Sequence, residues 1–376
     1  GAWTQVATGA NNTYSFNVSG LGGAAWVTQN STNDFDLTIS YGSQAELAVQ
    51  GPANCLSPVF KSVTGSASGF GLTNSDFVSV SLGSAFASPP PTFASPNFTI
   101  ANVPDGLRDL VGTRSGFDIA NPSAGFVLNK LFLKRGLNPA SGSSVGVVDF
   151  NSVADAFDPV AQVMTLNGAA SGESVSANVS FITSNGSSAS LGASTTTATG
   201  SPTTVNFFAV PAARTVAGDV NALFALAATT SGNTTVAARA VSASFRNPAN
   251  QNVTLGAVVN TPTVTVLTNT PYVKLRTQLV RQADYPDYWT FAYSQSTGAL
   301  QRTVITQLSA AYQGSATTVD VSVPDFTLVG GWQNVWGLQQ GNSIEHNASA
   351  FGWLTGGGAQ TDGALTRFGF RNQTIP

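Results

Sequence analysis

Charged side chains are scarce in this sequence. They make up 9% of the 376 residues, against about 25% in an average soluble protein, and Lys61, Lys130, Lys134 and Lys274 are the only lysines. The formal net charge is −3. No basic stripe runs along the chain, which excludes a strong electrostatic attraction to nucleic acid. We therefore expect no nucleic-acid partner.

The chain also lacks the residues on which most metal sites depend. It contains one cysteine, Cys55, and one histidine, His346, so neither an internal disulfide framework nor a zinc site is predicted. Cys55 is interpreted as a small buried hydrophobic side chain. Asp149, Asp155 and Asp158 lie close in sequence but lack the loop spacing and turn glycine of a calcium site. No metal or other cofactor is expected.

Long apolar stretches are missing as well. None reaches the roughly 18–20 residues of a membrane-spanning helix, so no membrane-spanning segment is predicted. The chain begins at Gly1 without methionine, which we interpret as removal of an N-terminal leader, although a trimmed sequence would look the same. We expect a protein that lies outside the cell or on its surface.

What the sequence does contain favours β-structure. Hydrophobic residues make up 42% of the chain and aromatic residues 10%, which argues against disorder. Val, Phe and Thr alternate with polar residues in many short segments, as in half-buried strands. At about 100–150 residues per domain, the length favours three or four domains. The predicted fold is all-β, with tandem β-sandwich domains of immunoglobulin-like or transthyretin-like type in a modular rod.

Four stretches are predicted as domains. They are a small N-terminal β module at 1–57, a β-sandwich at 58–157, a second β-sandwich at 158–268 and an aromatic-rich β-sandwich at 269–376. In the first, Ser43 and Glu46 predict a capping box for a short helix over Ser43–Val49. In the third, the Ser/Gly/Thr-rich stretch Ser184–Thr204 is predicted to be an exposed, mobile loop.

The segment from Pro96 to Asn138 predicts a corner between two strands. Phe98 and Ile100 alternate with polar residues and are expected to share one face of a strand. Pro104-Asp105-Gly106 has the residues of a turn, with Gly106 at a position that requires positive φ. Leu110 then resumes the apolar pattern.

These residues carry a resemblance to a known family. Phe98-x-Ile100-x-Asn102-Val103-Pro104-x-Gly106, followed by a Leu-Val strand, resembles the carboxypeptidase regulatory-like (transthyretin-like) β-sandwich. The resemblance covers roughly 58–157, and the segments Lys61–Gly65 and Phe77–Gly83 correspond to the family's preceding strands. The insertion at Pro89-Pro90-Pro91 departs from the pattern. The resemblance implies a non-catalytic accessory module, and the whole chain also resembles secreted bacterial surface proteins or lipoproteins without assigned activity.

Candidate catalytic residues are few. His346 follows Glu345 on a strand pattern, and neighbouring strand residues face opposite sides, so Glu345 is not expected to orient His346 in a triad. Asp284 and Asp287 are the best match to the paired carboxylates of a glycosidase, yet Asp-Tyr-Pro-Asp is also typical of a turn. The glycines between Gly352 and Gly358 lack the lysine and the strand–helix context of a phosphate loop. No enzymatic activity is predicted.

The leading hypothesis is a structural role. The chain would be a subunit of an extracellular filament, sheath or surface layer, a homo-polymer assembled through β-strand edges. Soluble monomers guard such edges with Lys, Pro or bulges, and this chain has little Lys. The terminal strands Thr13–Val18 and Thr366–Arg371 are predicted to complete a neighbour's sheet. Their candidate anchors are Tyr14, Phe16, Val18, Phe368 and Phe370.

The alternative hypothesis is a monomeric cell-surface adhesion or carbohydrate-binding protein with a polysaccharide as partner. Trp332, Trp336 and Trp353 would then stack on sugar rings, which requires two aromatic side chains exposed in one plane. Packing of these side chains in a core or an interface is the other interpretation.

Overall fold

Strands dominate the computed structural model of the chain, which describes residues 2–5, 18, 20–48, 60–71, 76–117 and 126–376. About 59% of the chain is strand, with two short α-helices, α1 (Gln44–Ala48) and α2 (Ala310–Gln313), in the described part. The all-β fold is therefore confirmed, whereas the tandem-sandwich and four-domain descriptions stay predictions. Tyr14, Phe16 and Cys55 lie outside the described residues.

The strands are short to medium in length and follow one another with few helical interruptions. The first twelve, in chain order, are β1 (Leu21–Ser31), β2 (Asp34–Ser43), β3 (Phe60–Ser68), β4 (Asp76–Leu82), β5 (Ala85–Phe86), β6 (Asn97–Pro104), β7 (Arg108–Phe117), β8 (Phe126–Leu137), β9 (Ser144–Asp149), β10 (Ala156–Phe157), β11 (Val160–Asn167) and β12 (Ser174–Ile182). The second twelve are β13 (Ser188–Thr197), β14 (Thr203–Ala209), β15 (Val220–Ser231), β16 (Thr234–Phe245), β17 (Gln251–Thr254), β18 (Thr263–Thr268), β19 (Lys274–Val280), β20 (Tyr288–Thr297), β21 (Leu300–Ser309), β22 (Thr318–Ser322), β23 (Ile344–Thr355) and β24 (Leu365–Ile375).

One ten-stranded sheet joins distant parts of the chain. Its order is β1-β2-β21-β20-β23-β24-β16-β15-β12-β13, and its strands come from the predicted stretches 1–57, 158–268 and 269–376. Neighbours are antiparallel except for β2 and β21, which are parallel. The hydrogen-bonded sheet therefore crosses the predicted domain boundaries, and the N-terminal hairpin extends the sheet of the C-terminal stretch.

Two three-stranded sheets cover one face of the ten-stranded sheet. The sheet β14-β11-β17 shares a buried cluster with β12, β15 and β16, whose inward residues are mostly Ala and Val. The sheet β18-β19-β22 shares a second cluster with β2, β20, β21 and β23. Trp289, Phe291 and Tyr293 alternate with other residues in the sequence, a pattern that predicts an inward aromatic strip, and all three are buried in this second cluster. We call the side of the ten-stranded sheet that packs against these two small sheets its covered face, and the opposite side its outer face.

The remaining two sheets contain the predicted corner. The sheets β6-β3-β9 and β10-β8-β7-β4-β5 share a third buried cluster. Strand β6 ends at Pro104, and β7 begins at Arg108 in the other sheet. Gly106 lies between them at φ +96°, a conformation that glycine adopts without steric cost. The turn and its positive φ are thereby confirmed.

A buried ionic contact connects this part to the ten-stranded sheet. Asp109 on β7 and Asp219 before β15 are fully buried, and the guanidinium of Arg135 on β8 binds both carboxylates. Backbone amides of Gly136 and Ser184 donate further hydrogen bonds of 2.8 Å to Asp109 and Asp219, respectively. Every carboxylate oxygen thus has a partner, as buried charges require.

Two local predictions have opposite outcomes. The capping box is confirmed, because the Ser43 amide donates to Glu46 Oε2 (2.7 Å) and the Glu46 amide donates to Ser43 Oγ (3.4 Å). The loop prediction for Ser184–Thr204 is wrong, since β13 occupies Ser188–Thr197 of this stretch and pairs with β12. Ala189 and Leu191 alternate with exposed residues and are buried, so the strand is held by its apolar face despite its Ser/Thr-rich composition.

Candidate functional site

His346 is buried among the aromatic side chains of the second buried cluster, which we call the aromatic cluster, and not in a catalytic arrangement. It is 1% exposed, and its ring lies 4.9 Å from that of Tyr293 and parallel to that of Phe291. Within the described residues, neither ring nitrogen has a hydrogen-bond partner. Burial lowers the pKa of His346 to about 4, so the ring is neutral near pH 7. Glu345 is on the other face and accepts a hydrogen bond from Thr374, as the alternation predicted.

The candidate carboxylate pair consists of two groups that hold backbone in place. Asp284 accepts hydrogen bonds from Arg367 (2.7 Å) and from the Ala257 amide (2.9 Å). Asp287 accepts a hydrogen bond of 2.6 Å from the Trp353 amide. These contacts are those of turn and loop anchors, which matches the alternative interpretation of Asp-Tyr-Pro-Asp.

The three tryptophans proposed for sugar stacking are not brought together. Trp332 packs against Phe326 and Tyr272, with ring centroids 5.0 and 5.3 Å away. Trp336 meets Trp332 edge-on at 85°, so these two rings do not form one plane. Trp353 lies on β23 and is 40% exposed. It contacts Tyr288 at 6.2 Å with an interplanar angle of 27°.

Trp353 belongs instead to a row of aromatic side chains on the outer face. Cross-strand pairs place Tyr288 opposite Phe351, and Phe351 opposite Phe368. Their ring centroids are 6.0 and 4.8 Å apart, and Phe370 follows Phe368 at 5.8 Å. Sequence reasoning singled out three of these five residues but assigned them to two different sites, because alternation does not show which strands are neighbours.

The chain matches no family model and no curated protein. The resemblance at the corner therefore stays a prediction, and the residues themselves carry the functional argument. Among the described residues there is no group of three or more potential metal ligands. The described part also contains no helix of the length and apolar character needed to span a bilayer.

Two grooves in the described part offer little chemistry. The first, of about 470 Å³, runs along β3, β6 and β9 and is lined by neutral residues such as Thr64, Asn97 and Ser144. The second, of about 340 Å³, includes Arg135 and Arg214. Arg135 is bound by two aspartates, and Arg214 donates to the Ala154 carbonyl and lies over the Phe157 ring. Thr215, the hydroxyl in the lining of the second groove, donates to the Ala212 carbonyl, and no histidine lines either groove.

The predicted C-terminal assembly strand requires a correction. Strand β24 is paired with β23 on one side and with β16 on the other, so it has no free edge for strand addition. Phe368 and Phe370 project from this internal strand to the outer face, and their role as anchors stays a prediction that would have to act through that face. At the other terminus, the Val18 amide donates to Gln44 Oε1 (2.6 Å).

Several sheet edges in the described part of the chain lack charged residues and proline. All four lysines lie on β3, β8 and β19, which have a partner strand on each side. The edge strands β1, β13 and β18 contain no charged residue and no proline. Since charge and proline are common ways to keep edges from pairing with other chains, these three edges lack that protection.

Strand β18 has more exposed large apolar side chains than β1 or β13. It pairs with β19, and within the described residues no strand pairs with its other side. Val266 is 44% exposed and Leu267 is 52% exposed. The sequence shows the strand, but only the sheet order shows that it ends a sheet.

Proposed function

We propose that the protein is a secreted, non-enzymatic structural subunit of an extracellular filament, sheath or surface layer, and that it assembles with copies of itself through uncharged sheet edges. The observation that carries this proposal is the distribution of lysine. All four lysines lie on internal strands, while β1, β13 and β18 have neither charge nor proline. Such edges present unpaired backbone N–H and C=O groups to a neighbouring chain.

The candidate chemical groups support the non-enzymatic part. His346 is enclosed by aromatic rings, and Asp284 and Asp287 hold backbone amides. A surface with few charges also has little long-range repulsion between copies, which permits dense association. Because few ions are involved, we expect assemblies to persist at about 1 M salt, where exposed charges are screened within about 3 Å.

The test combines electron microscopy with light scattering on the intact protein. Val266→Lys places a charge on the β18 edge, and Val280→Lys is the matched control, because Val280 is 58% exposed on the internal strand β19. We expect ordered assemblies for the intact protein and the control, and a shift to smaller species for Val266→Lys. A monomer in the intact protein at all concentrations and salt conditions would overturn the proposal.

The aromatic row on the outer face favours a second candidate function, binding of a neutral polysaccharide. Its five members are Tyr288, Phe351, Trp353, Phe368 and Phe370, and aromatic side chains stack on the apolar faces of sugar rings. Retention on a panel of neutral polysaccharides would be measured for the intact protein and for Trp353→Ala. Leu354→Ala is the control, since Leu354 is also 40% exposed. Equal retention of both variants would remove this candidate.

A further inference from the structure

We infer that β18 pairs in antiparallel orientation with β18 of a second copy, across a twofold axis beside Thr265. The inference rests on the proposed function, because it names the partner and the register of one uncharged edge. It is independent of the other edges and of the aromatic row.

The composition of β18 is that of a segment that pairs readily. Thr263-Val264-Thr265-Val266-Leu267-Thr268 contains five β-branched residues and no charge, proline or glycine. Six-residue segments of this kind on an exposed edge form strand pairs with other chains. Alternate residues of the strand direct their N–H and C=O groups away from β19, towards the free side.

The ends of the strand limit the register. Pro262 precedes β18 and has no N–H to donate, and a bulge at Leu267 interrupts the regular pairing with β19. A bulge twists an edge and ends its usable part. The regular part of the edge therefore runs from Thr263 to Val266, which restricts a partner strand to a few residues.

The two faces of the sheet limit the register further. Val264 and Val266 are opposite Thr277 and Leu275 of β19, whose side chains are buried against the aromatic cluster. Thr265 is opposite Arg276, on the other face. A twofold axis perpendicular to the sheet keeps each face continuous, so residues opposite each other must share a face. With the axis at Thr265, Thr265 faces its own copy and Val264 faces Val266.

Electrostatics permit this self-pairing. Like charges directly opposite each other destabilise a strand pair, and β18 has none. Arg276, the nearest cation on β19, is bound by Asp320 of β22 through Nε at 2.7 Å. Antiparallel pairing is also slightly more stable per residue than parallel pairing. The result is a continuous six-stranded sheet shared by two copies.

The contact closes on itself, because a twofold interface uses the same surface of both copies. Assemblies would therefore be built from dimers that meet through a second, different contact. This separates the inference from a head-to-tail filament, in which β18 would pair with another edge such as β1.

Disulfide trapping tests the register. In a Cys55→Ser background, Thr265→Cys places one thiol at the axis, where Cβ atoms of opposite residues are about 4.5–5.5 Å apart. We expect a covalent dimer under mild oxidation, seen on non-reducing gels and lost on reduction. Val280→Cys is the matched control and is expected to stay monomeric, although Val280 is more exposed than Val266. Val264→Cys with Val266→Cys reads the same register away from the axis, within the regular part of the edge, and replaces Thr265→Cys if that variant does not fold.

The outcomes distinguish the inference from the function on which it rests. Absence of the dimer in both β18 variants overturns the inference, and filaments seen by electron microscopy in the same samples would leave the proposed function standing. Cross-linking of Thr265→Cys only to a second cysteine at Ala25 of β1 would also overturn it, in favour of head-to-tail pairing. A trapped dimer without larger assemblies would support the β18 pairing and overturn the filament.

Discussion

The two halves of the ten-stranded sheet bury different polar side chains on the covered face, and Arg239 and His346 show the contrast. Arg239 on β16 lies in the Ala- and Val-rich half and is 7% exposed. It forms an ion pair with Glu173 and donates to the carbonyls of Gly168 and Gly256. His346 on β23 lies in the aromatic half, where neither ring nitrogen has a partner among the described residues.

The difference follows from what each group can do to avoid an unpaired charge. A guanidinium cannot lose its proton in a protein, so a buried one is stabilised by an anion and by carbonyl groups. An imidazole can be neutral, and burial shifts its pKa accordingly. Arg239 therefore depends on a charge partner, whereas the contribution of His346 depends on pH. Three predictions address this contrast.

The largest effect is expected for Glu173→Leu. The change removes the only carboxylate that pairs with Arg239 in the described part of the chain and leaves a buried guanidinium uncompensated. We expect a loss of about 3–5 kcal/mol in the free energy of unfolding, measured by urea denaturation. The control is Glu173→Leu with Arg239→Met, which replaces the pair by apolar side chains and is expected to recover most of the loss. A loss below about 1 kcal/mol in the single variant would contradict this dependence.

The second prediction concerns His346→Leu and pH. The folded-state pKa of His346 is about 4, against an ordinary histidine pKa of 6.5, so the unfolded state takes up a proton first as the pH falls. Stability supplied by the neutral ring is present above about pH 6.5 and is lost as the pH falls towards 4. At about 1.4 kcal/mol per pKa unit, the loss approaches 3 kcal/mol.

The measurement compares unfolding free energies at pH 7 and pH 4. Carboxylates also contribute to the pH dependence, so the difference between wild type and His346→Leu isolates the histidine. We expect the wild type to lose about 3 kcal/mol more than the variant over this range. Glu345→Gln, on the opposite face of the same strand, is the control and should follow the wild type. Equal pH dependence of wild type and His346→Leu would show that water reaches the ring.

Part of this picture could be predicted from the sequence alone. Alternation identified the inward strip of β20, and turn chemistry identified the corner at Gly106, because both depend on residues that are close in the chain. The capping box of Ser43 and Glu46 belongs to the same class. In each case the physical cause is a side-chain period or a backbone conformation that neighbouring residues determine.

The order of strands could not be predicted in this way. Strand β2 pairs with β21, and Ser40 Oγ donates to Gln307 Oε1 across 267 positions of sequence. Alternation reports which face is buried but not which strand lies beside it, so β24 could be taken for an edge although it is central. For the same reason the alternation of Val264-Thr265-Val266 predicts a strand but does not show that this strand is an edge. The proposed assembly site depends on this missing information.

The smallest effect is expected on the exposed side of the sheet that contains β18. Arg276 and Asp320 form an ion pair there, and their side chains are 43% and 38% exposed. The hydrogen bond from Arg276 lowers the pKa of Asp320, so the pair stabilises the folded state above the usual Asp pKa and loses this contribution in acid. Solvent screening keeps this contribution small.

The test is Arg276→Gln, compared with Glu173→Leu under the same conditions. We expect a much smaller change in the unfolding free energy than for Glu173→Leu, and a still smaller one at 1 M salt, because salt screens exposed pairs much more than buried pairs. The measurement is best made over a range of protein concentrations. A second copy paired through β18 would lie beside Arg276 and reduce its exposure, so an effect that grows with concentration would connect this pair to self-assembly. A loss as large as that of Glu173→Leu at low concentration would mean that exposure does not decide the energy of ion pairs in this fold.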